Sequence, residues 1–114
     1  MTDPLSRTFL ALADPTRRAI LAQIADGAQT VTAIVAANGL SQPGISKHLK
    51  VLEEAGLIRR ERVAKTRPVH LDAAGLQAAA GWIDHYRQHW EGAFGRMDAL
   101  IERLQAEEVK NGRQ

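Results

Sequence analysis

The sequence predicts a mainly helical fold with one small β-hairpin, and three patterns lead to that fold class. Apolar residues recur at helical spacing in four short segments of the first half of the chain. A run rich in β-branched and basic residues then covers 57–72, and a long helical pattern covers 76–108. The predicted order is therefore α-α-α-α-β-β-α, in a single domain over 1–114.

The composition is that of an ordinary globular protein, with 114 residues of which 45% are apolar and 25% charged. The chain has no cysteine, which excludes disulfides, thiolate metal sites and a cysteine nucleophile. No apolar run approaches the roughly 18 residues that a membrane span requires, and the N-terminus lacks the pattern of a secretory signal. We therefore expect a cytoplasmic protein that makes no membrane contact.

Positive charge is concentrated in one part of the chain. Between Ser41 and His70 seven Lys and Arg residues stand against three Glu residues, which leaves +4. The rest of the chain carries eight basic and ten acidic residues, which leaves −2. This asymmetry favours a polyanion-binding face on an otherwise nearly neutral body.

Local signals mark where the helices begin and end. Asp14 is the predicted N-cap of the second helix, and Gly39 follows the end of the third. Ser41 is the predicted N-cap of the fourth helix, which ends at Gly56 in the left-handed conformation. The third and fourth helices, joined by a tight Gly-containing turn, give the outline of a helix-turn-helix over 30–56.

The fourth helix has one apolar and one polar face. Ile45, Leu49 and Leu52 share a face at about 100° per residue, and the other side begins with basic and hydrogen-bonding residues. That arrangement is typical of a helix whose N-terminal half enters a DNA major groove. The candidate DNA contacts here are Ser41, Gln42, Gly44, Ser46, Lys47, His48 and Lys50. For His48, at the edge of the packed face, a hydrogen-bonded structural role is the alternative.

The hairpin over 57–72 extends the basic run. Pro68 is expected at a strand start or on an edge strand, because its nitrogen cannot donate to a neighbouring strand. Basic residues on exposed hairpins also serve solubility and edge protection, so this charge indicates DNA mainly because it follows a helix-turn-helix outline. The candidate contacts in the hairpin are Arg59, Arg60, Arg62, Lys65 and Arg67.

The last helix carries an apolar heptad pattern that predicts a homodimer. A helix of about 30 residues spans roughly 45 Å, and one small domain cannot cover such a stripe. The alternative is a helix that breaks at Gly92 or Gly95 and folds back onto its own core. We expect 76–108 to pair with its copy, assisted by 1–13. The predicted interface residues are Leu5, Phe9, Leu12, Ile83, Tyr86, Trp90, Ala93, Phe94, Met97, Leu100, Ile101 and Leu104.

The segments ALADPTRRAIL and LSQPGISKHLKVLEEAGLIRRER, followed by a hairpin that ends in VHLD, resemble the ArsR/SmtB family of winged helix-turn-helix transcriptional repressors. The resemblance covers about Phe9 to Asp72. It implies a homodimer that binds double-stranded operator DNA through its basic wing and through the fourth-helix residues Gln42, Ser46, Lys47 and His48.

Members of that family often respond to metals, but the sequence departs from their patterns. The cysteine-based sites are excluded, and the family's second pair of ligands in the last helix has only Asp98 in the corresponding region. His85 and His89 lie four residues apart, a spacing that can bind Zn²⁺ or Ni²⁺, and they remain weak candidates. We predict no metal and no cofactor. The inducing signal stays open, with a small-molecule pocket near Trp82, Tyr86 and Trp90 as a further alternative.

An enzyme is not predicted, because the sequence has no phosphate-binding glycine loop, nucleophile elbow or metal-hydrolase motif. The rival function is a winged-helix module that binds another protein without specific DNA recognition. Such a module is expected to present an apolar or acidic fourth-helix face, and the face here is basic in its first turns.

Overall fold

The computed structural model describes residues 3–62 and 66–111. It contains two units, one reaching Ala80 and one beginning at Gly81. The elements in chain order are α1 (Pro4–Leu12), α2 (Pro15–Ile24), β1 (Gln29–Thr30), α3 (Val31–Asn38), α4 (Gln42–Glu54), β2 (Ile58–Arg60), β3 (Pro68–Leu71) and α5 (Ala73–Asn111). The predicted mainly helical class with a small β element is confirmed, and β1 is an addition that the sequence did not predict.

The first four helices begin in the same way, with a side-chain oxygen that accepts a hydrogen bond from a backbone N–H three residues later. The acceptors are Asp3, Asp14, Thr30 and Ser41. Two glycines then end helices or turns in the left-handed conformation, Gly39 with φ of 66° and Gly56 with φ of 72°. A residue with a Cβ is strained at such angles, which explains why both positions are glycine.

The three strands form one antiparallel sheet in the order β1-β3-β2. Gln29 pairs with Val69 on one side of β3, and Arg60 pairs with the same residue on the other side. Pro68 is the first residue of this central strand, as expected for a residue without a backbone N–H. The β-hairpin is thus part of a three-stranded sheet. The added strand, β1, leads directly into α3.

The core of the first unit lies between the helices and the sheet, and it fixes the rotation of α4. Ile45, Leu49 and Leu52 are fully buried, so the opposite side of α4 faces outward. Thr8 is buried beside them and its hydroxyl donates to the Ala55 carbonyl at 3.2 Å, which ties α1 to the end of α4. The other core residues are Ala11, Ile20, Leu21, Ile24, Ile34, Ala55, Leu57, Ile58 and Val69.

The last helix is continuous, since its bounds of Ala73–Asn111 include Gly92 and Gly95. The alternative of a break at either glycine is therefore wrong. Its first turns belong to the first unit, where Ala79 is buried. From Gly81 onward the large apolar side chains are exposed in the single chain. Among the described residues, no helix combines the length and apolar character needed to cross a membrane.

Candidate nucleic-acid interface

A cleft of about 470 Å³ lies between the N-terminal half of α4 and the hairpin, which we call the wing (57–72). It brings together five of the predicted site residues, two from α4 and three from the wing. Val31 at the start of α3 and Glu61 of the wing also line it, and neither was predicted as a site residue. The predicted residues that line it are Gln42, Ser46, Arg60, Arg62 and Arg67.

The start of α4 is ordered by its own cap. The Ser41 hydroxyl accepts from the Gly44 amide at 3.2 Å, and an added Cβ on Gly44 would lie 3.3 Å from that same hydroxyl. Gly44 therefore suits a tightly capped first turn. Gln42 is exposed and Ser46 half-buried, both beside the wing, whereas Lys47 and Lys50 are exposed and are not among the residues lining the cleft.

The wing arginines divide between its two faces. Arg60 lines the cleft and has a side chain only 26% exposed, because its Nη2 contacts Glu53 Oε1 of α4 at 3.4 Å. Arg59, 61% exposed, does not line the cleft, because successive strand residues alternate in direction. Its Nη1 lies 3.9 Å from Oε1 of Glu61, which does line the cleft. The predicted set of wing contacts is thus split, with Arg59 outside the cleft.

Farther along the wing, Arg62 and Arg67 are both exposed at the cleft. Arg67 has a φ of 35°, an unusual value for a residue with a Cβ and one that precedes Pro68. This backbone conformation occurs directly before β3 and was not predicted. Lys65, the remaining predicted contact, lies outside the described residues.

His48 sits in a polar cluster on the side of α4 that faces α2. Arg17 Nη1 lies 3.3 Å from His48 Nδ1, and because a guanidinium can only donate, Nδ1 accepts and the ring proton resides on Nε2. Asp14 Oδ2 is 3.9 Å from the same Nδ1, too far for a hydrogen bond. His48 is thus hydrogen-bonded within the fold through its Nδ1 atom.

Asp14 is the acidic member of this cluster. The backbone N–H of Arg17 donates to its carboxylate at 3.0 Å, and this bond lowers the pKa of Asp14 below its ordinary value of 3.8. The positive charge of Arg17 acts in the same direction, while burial opposes both effects. Asp14 therefore stays ionised over the whole neutral range as the cap of α2.

The predicted dimer residues divide by exposure. On α1, Leu5, Phe9 and Leu12 are half-buried, and Leu12 packs against the core of its own unit. Leu10, 60% exposed, is the most accessible apolar residue of α1 and lies off the predicted stripe. On α5 the predicted residues are all exposed, namely Ile83, Tyr86, Trp90, Ala93, Phe94, Met97, Leu100, Ile101 and Leu104.

The weak metal candidates lie on the exposed face of α5. Within the described residues, no three His, Cys, Asp or Glu side chains come together in a way that could hold a metal ion. Asp84 pairs with Arg87 at 3.2 Å, and the rings of His85 and His89 flank Tyr86 at centroid distances of 4.9 and 6.3 Å.

Comparison with known protein families agrees with this geometry. A family model described as a helix-turn-helix domain matches residues 12–61. The chain is 42% identical over 81 residues to the HTH-type transcriptional regulator Rv2034 of Mycobacterium tuberculosis, covering 70% of this chain and 75% of that protein. It is 33% identical to the transcriptional repressor SdpR of Bacillus subtilis, covering 69% of this chain and 88% of SdpR.

Solved structures are similar over the same region. A crystal structure of the ArsR family transcriptional regulator RHA00566 superimposes with a TM-score of 0.73 at 31% identity, covering 78% of this chain and 98% of that one. The solution structure of the homodimeric winged helix-turn-helix DNA-binding domain of Mb0332 from Mycobacterium bovis gives a TM-score of 0.61 at 26% identity, covering 79% and 84%.

The matches to the two sequence relatives cover most of the length of those proteins, and the solved structures share the fold of this chain. The family consists of DNA-binding transcriptional regulators, which are not enzymes. The resemblance inferred from the sequence motifs is confirmed: the chain belongs to the ArsR/SmtB family of winged helix-turn-helix transcriptional regulators.

Proposed function

We propose that this protein is a transcriptional repressor that binds, as a homodimer, an inverted-repeat operator in double-stranded DNA. One observation carries the proposal: the cleft places the polar side chains of Gln42 and Ser46 on one wall and three arginines on the other. Amide and hydroxyl groups read base edges, and guanidinium groups bind phosphates. A cleft with both chemistries fits a DNA strand whose bases face α4 and whose backbone faces the wing.

The division of labour follows from the positions of these side chains. Gln42 and Ser46 lie in the first turns of α4, where a recognition helix contacts bases, with the capped N-terminus of the helix directed at the same partner. Lys47 and Lys50, on the outer side of α4, and His48, through its Nε2–H, supply further contacts to the DNA. The cleft arginines, with Arg59 and Lys65, extend the footprint along the backbone.

The homodimer is supported by the exposed stripe on α5 and by the homodimeric Mb0332 domain. Two copies related by a two-fold axis present two α4 helices, so the operator half-sites should be about 34 Å apart or a multiple of that distance. Repression as the direction of control is supported by the similarity to SdpR. We infer a cytoplasmic location, because a DNA-binding regulator acts where the chromosome is.

The test begins with the genomic DNA fragments that the purified protein retains, whose shared inverted repeat is then used in gel shifts against a scrambled duplex. Gln42→Ala and Ser46→Ala are expected to reduce the preference for the repeat, because they remove base contacts. Arg62→Gln and Arg67→Gln are expected to weaken both duplexes alike and to reduce the salt slope by about 0.9 each.

Gln88→Ala, on the exposed part of α5, is the matched control for loss of a polar side chain and should leave both affinities unchanged. Equal binding of the repeat and the scrambled duplex by the wild type would overturn the proposal in favour of a protein-binding module. Equal loss on both duplexes in the α4 variants would overturn the assignment of base reading to α4.

A further inference from the structure

The ion pair between Glu53 of α4 and Arg60 of the wing joins the two walls of the DNA cleft. Nη2 of Arg60 lies 3.4 Å from Oε1 of Glu53, and the two side chains are 26% and 35% exposed. Arg60 lines the cleft, whereas Glu53 is not among the residues that line it. The Glu53 carboxylate thus contacts the Arg60 guanidinium from outside the cleft.

The position of Glu53 along α4 decides what this contact does. Glu53 follows Ser46 by two turns on the same side of the helix, a rise of roughly 10 Å toward the C-terminal end. DNA is read by the opposite, N-terminal end, where Gln42 and Ser46 line the cleft. The ion pair therefore draws the Arg60 guanidinium away from the end of the cleft where the phosphates lie.

We propose that Glu53 is an affinity-determining residue of the DNA site, which competes with DNA phosphates for Arg60 and so holds down affinity for DNA of any sequence. This proposal rests on the proposed function of the cleft. A phosphate that recruits Arg60 must displace or share the Glu53 carboxylate, and a partly exposed ion pair resists this only weakly. The restraint is weak enough for an operator to overcome and strong enough to shift non-specific binding.

The chain offers a matched control next to it. Glu54 is exposed on the same helix, carries the same charge and lines a separate hollow of about 280 Å³ with Arg7, Leu10 and Val51. Glu53→Gln and Glu54→Gln change the net charge equally, so any general electrostatic effect of losing one negative charge appears in both. Only Glu53→Gln releases Arg60.

The experiment measures binding of a fluorescent duplex of unrelated sequence, and of the selected inverted repeat, over a series of salt concentrations. Glu53→Gln is expected to bind both duplexes about two- to fivefold more tightly than Glu54→Gln at low salt. Its salt slope should be steeper by about 0.9, the value for one added phosphate contact. Combined with Arg60→Gln, the Glu53→Gln change should have no further effect beyond that of Glu54→Gln in the same background.

Three results would overturn the competition: equal binding by Glu53→Gln and Glu54→Gln, weaker binding by Glu53→Gln, or a gain that persists without Arg60. Weaker binding by Glu53→Gln would mean that Glu53 orients Arg60 toward the DNA. Thermal unfolding of each variant checks that the fold is retained. A wild type that binds no duplex in the same assay would instead refute the proposed function, so the two failures are distinguishable.

Discussion

The guanidinium of Arg17 donates to Nδ1 of His48 at 3.3 Å and so connects the start of α2 to the middle of α4. The same side chain donates from Nε to the Ala11 carbonyl at 2.8 Å and from Nη2 to the Leu10 carbonyl at 2.9 Å. Those carbonyls belong to the last turn of α1, where the Leu10 carbonyl also accepts from the Ala13 N–H at 3.2 Å. A single arginine therefore links the end of α1, the start of α2 and the recognition helix.

Replacing Arg17 by Met is expected to lower the free energy of unfolding by about 1.5–3 kcal/mol, because hydrogen bonds from a charged donor are lost while the apolar stem is kept. Urea unfolding measures the change. Arg18→Met is the control, since Arg18 makes one exposed bond of this kind, to the Leu12 carbonyl at 2.7 Å, and its loss should be smaller. Equal destabilisation by the two variants would contradict the linking role of Arg17.

The pH dependence of stability should contain a contribution from Asp14. Its pKa in the folded protein lies below the ordinary value of 3.8, first because the Arg17 N–H bonds the carboxylate. A lowered folded pKa stabilises the fold above 3.8, and that contribution is lost as the pH falls through the folded value. Asp14→Asn keeps a capping oxygen without the charge, so its unfolding free energy should fall less steeply on acidification than that of the wild type.

Asp14→Ala removes both the charge and the capping oxygen, so it should destabilise the protein at neutral pH as well. The difference between Asp14→Ala and Asp14→Asn therefore measures the contribution of the cap. Asp3 has a pKa lowered in the same direction by its bonds from Ser6, so some acid sensitivity should persist in either Asp14 variant. Acid unfolding curves of wild type and Asp14→Asn that coincide would show that Asp14 makes no such contribution.

Local signals made the helix ends predictable from the sequence. Asp14, Ser41 and Gly56 act within three or four residues of themselves, so their roles follow from residue type and spacing alone. The strand β1 was missed because Gln29 and Thr30 form it by pairing with Val69 and Pro68, far along the chain. Two polar residues before a helix carry no periodic pattern that could predict such pairing.

The sequence predicted which residues belong to the candidate site, but it did not predict how they are arranged in space. Residue types and the helix-turn-helix outline identified the basic positions, but strand alternation in the folded wing separates Arg59 from Arg60. The engagement of His48 by Arg17 and of Arg60 by Glu53 depends on how helices pack against the rest of the fold. Contacts of that kind are set by tertiary structure, which the local pattern leaves open.

Gly75 at the start of α5 is a position where close packing excludes a side chain. A Cβ there would lie 2.7 Å from the Ala55 carbonyl oxygen and 2.9 Å from that of Gly56, both backbone atoms that cannot turn aside. Gly75→Ala is therefore expected to lower the free energy of unfolding by about 1–3 kcal/mol, as overpacking does. Gly81→Ala, on the same helix with nothing within 4 Å, should stabilise the protein by up to about 1 kcal/mol.

Thermal or urea unfolding of both glycine variants tests this contrast, because each makes the same chemical change in the same helix. Opposite signs are expected. A Gly75→Ala protein as stable as Gly81→Ala would show that α5 can move away from the loop after α4 at little cost.

The exposed stripe on α5 predicts a dimer that a single charge can disrupt. Leu100 belongs to the stripe and is 45% exposed in the single chain. In the proposed dimer a glutamate at this position would be buried without a partner, once in each copy, at a cost of several kcal/mol. Leu100→Glu should therefore weaken dimerisation more than about 100-fold by sedimentation equilibrium, and operator binding should fall with it. Ala99→Glu adds the same charge one residue earlier, at a position about 100° around the helix and off the stripe, and should stay dimeric. Because only the stripe residue is expected to matter, a dimeric Leu100→Glu protein would show that the copies associate through another surface.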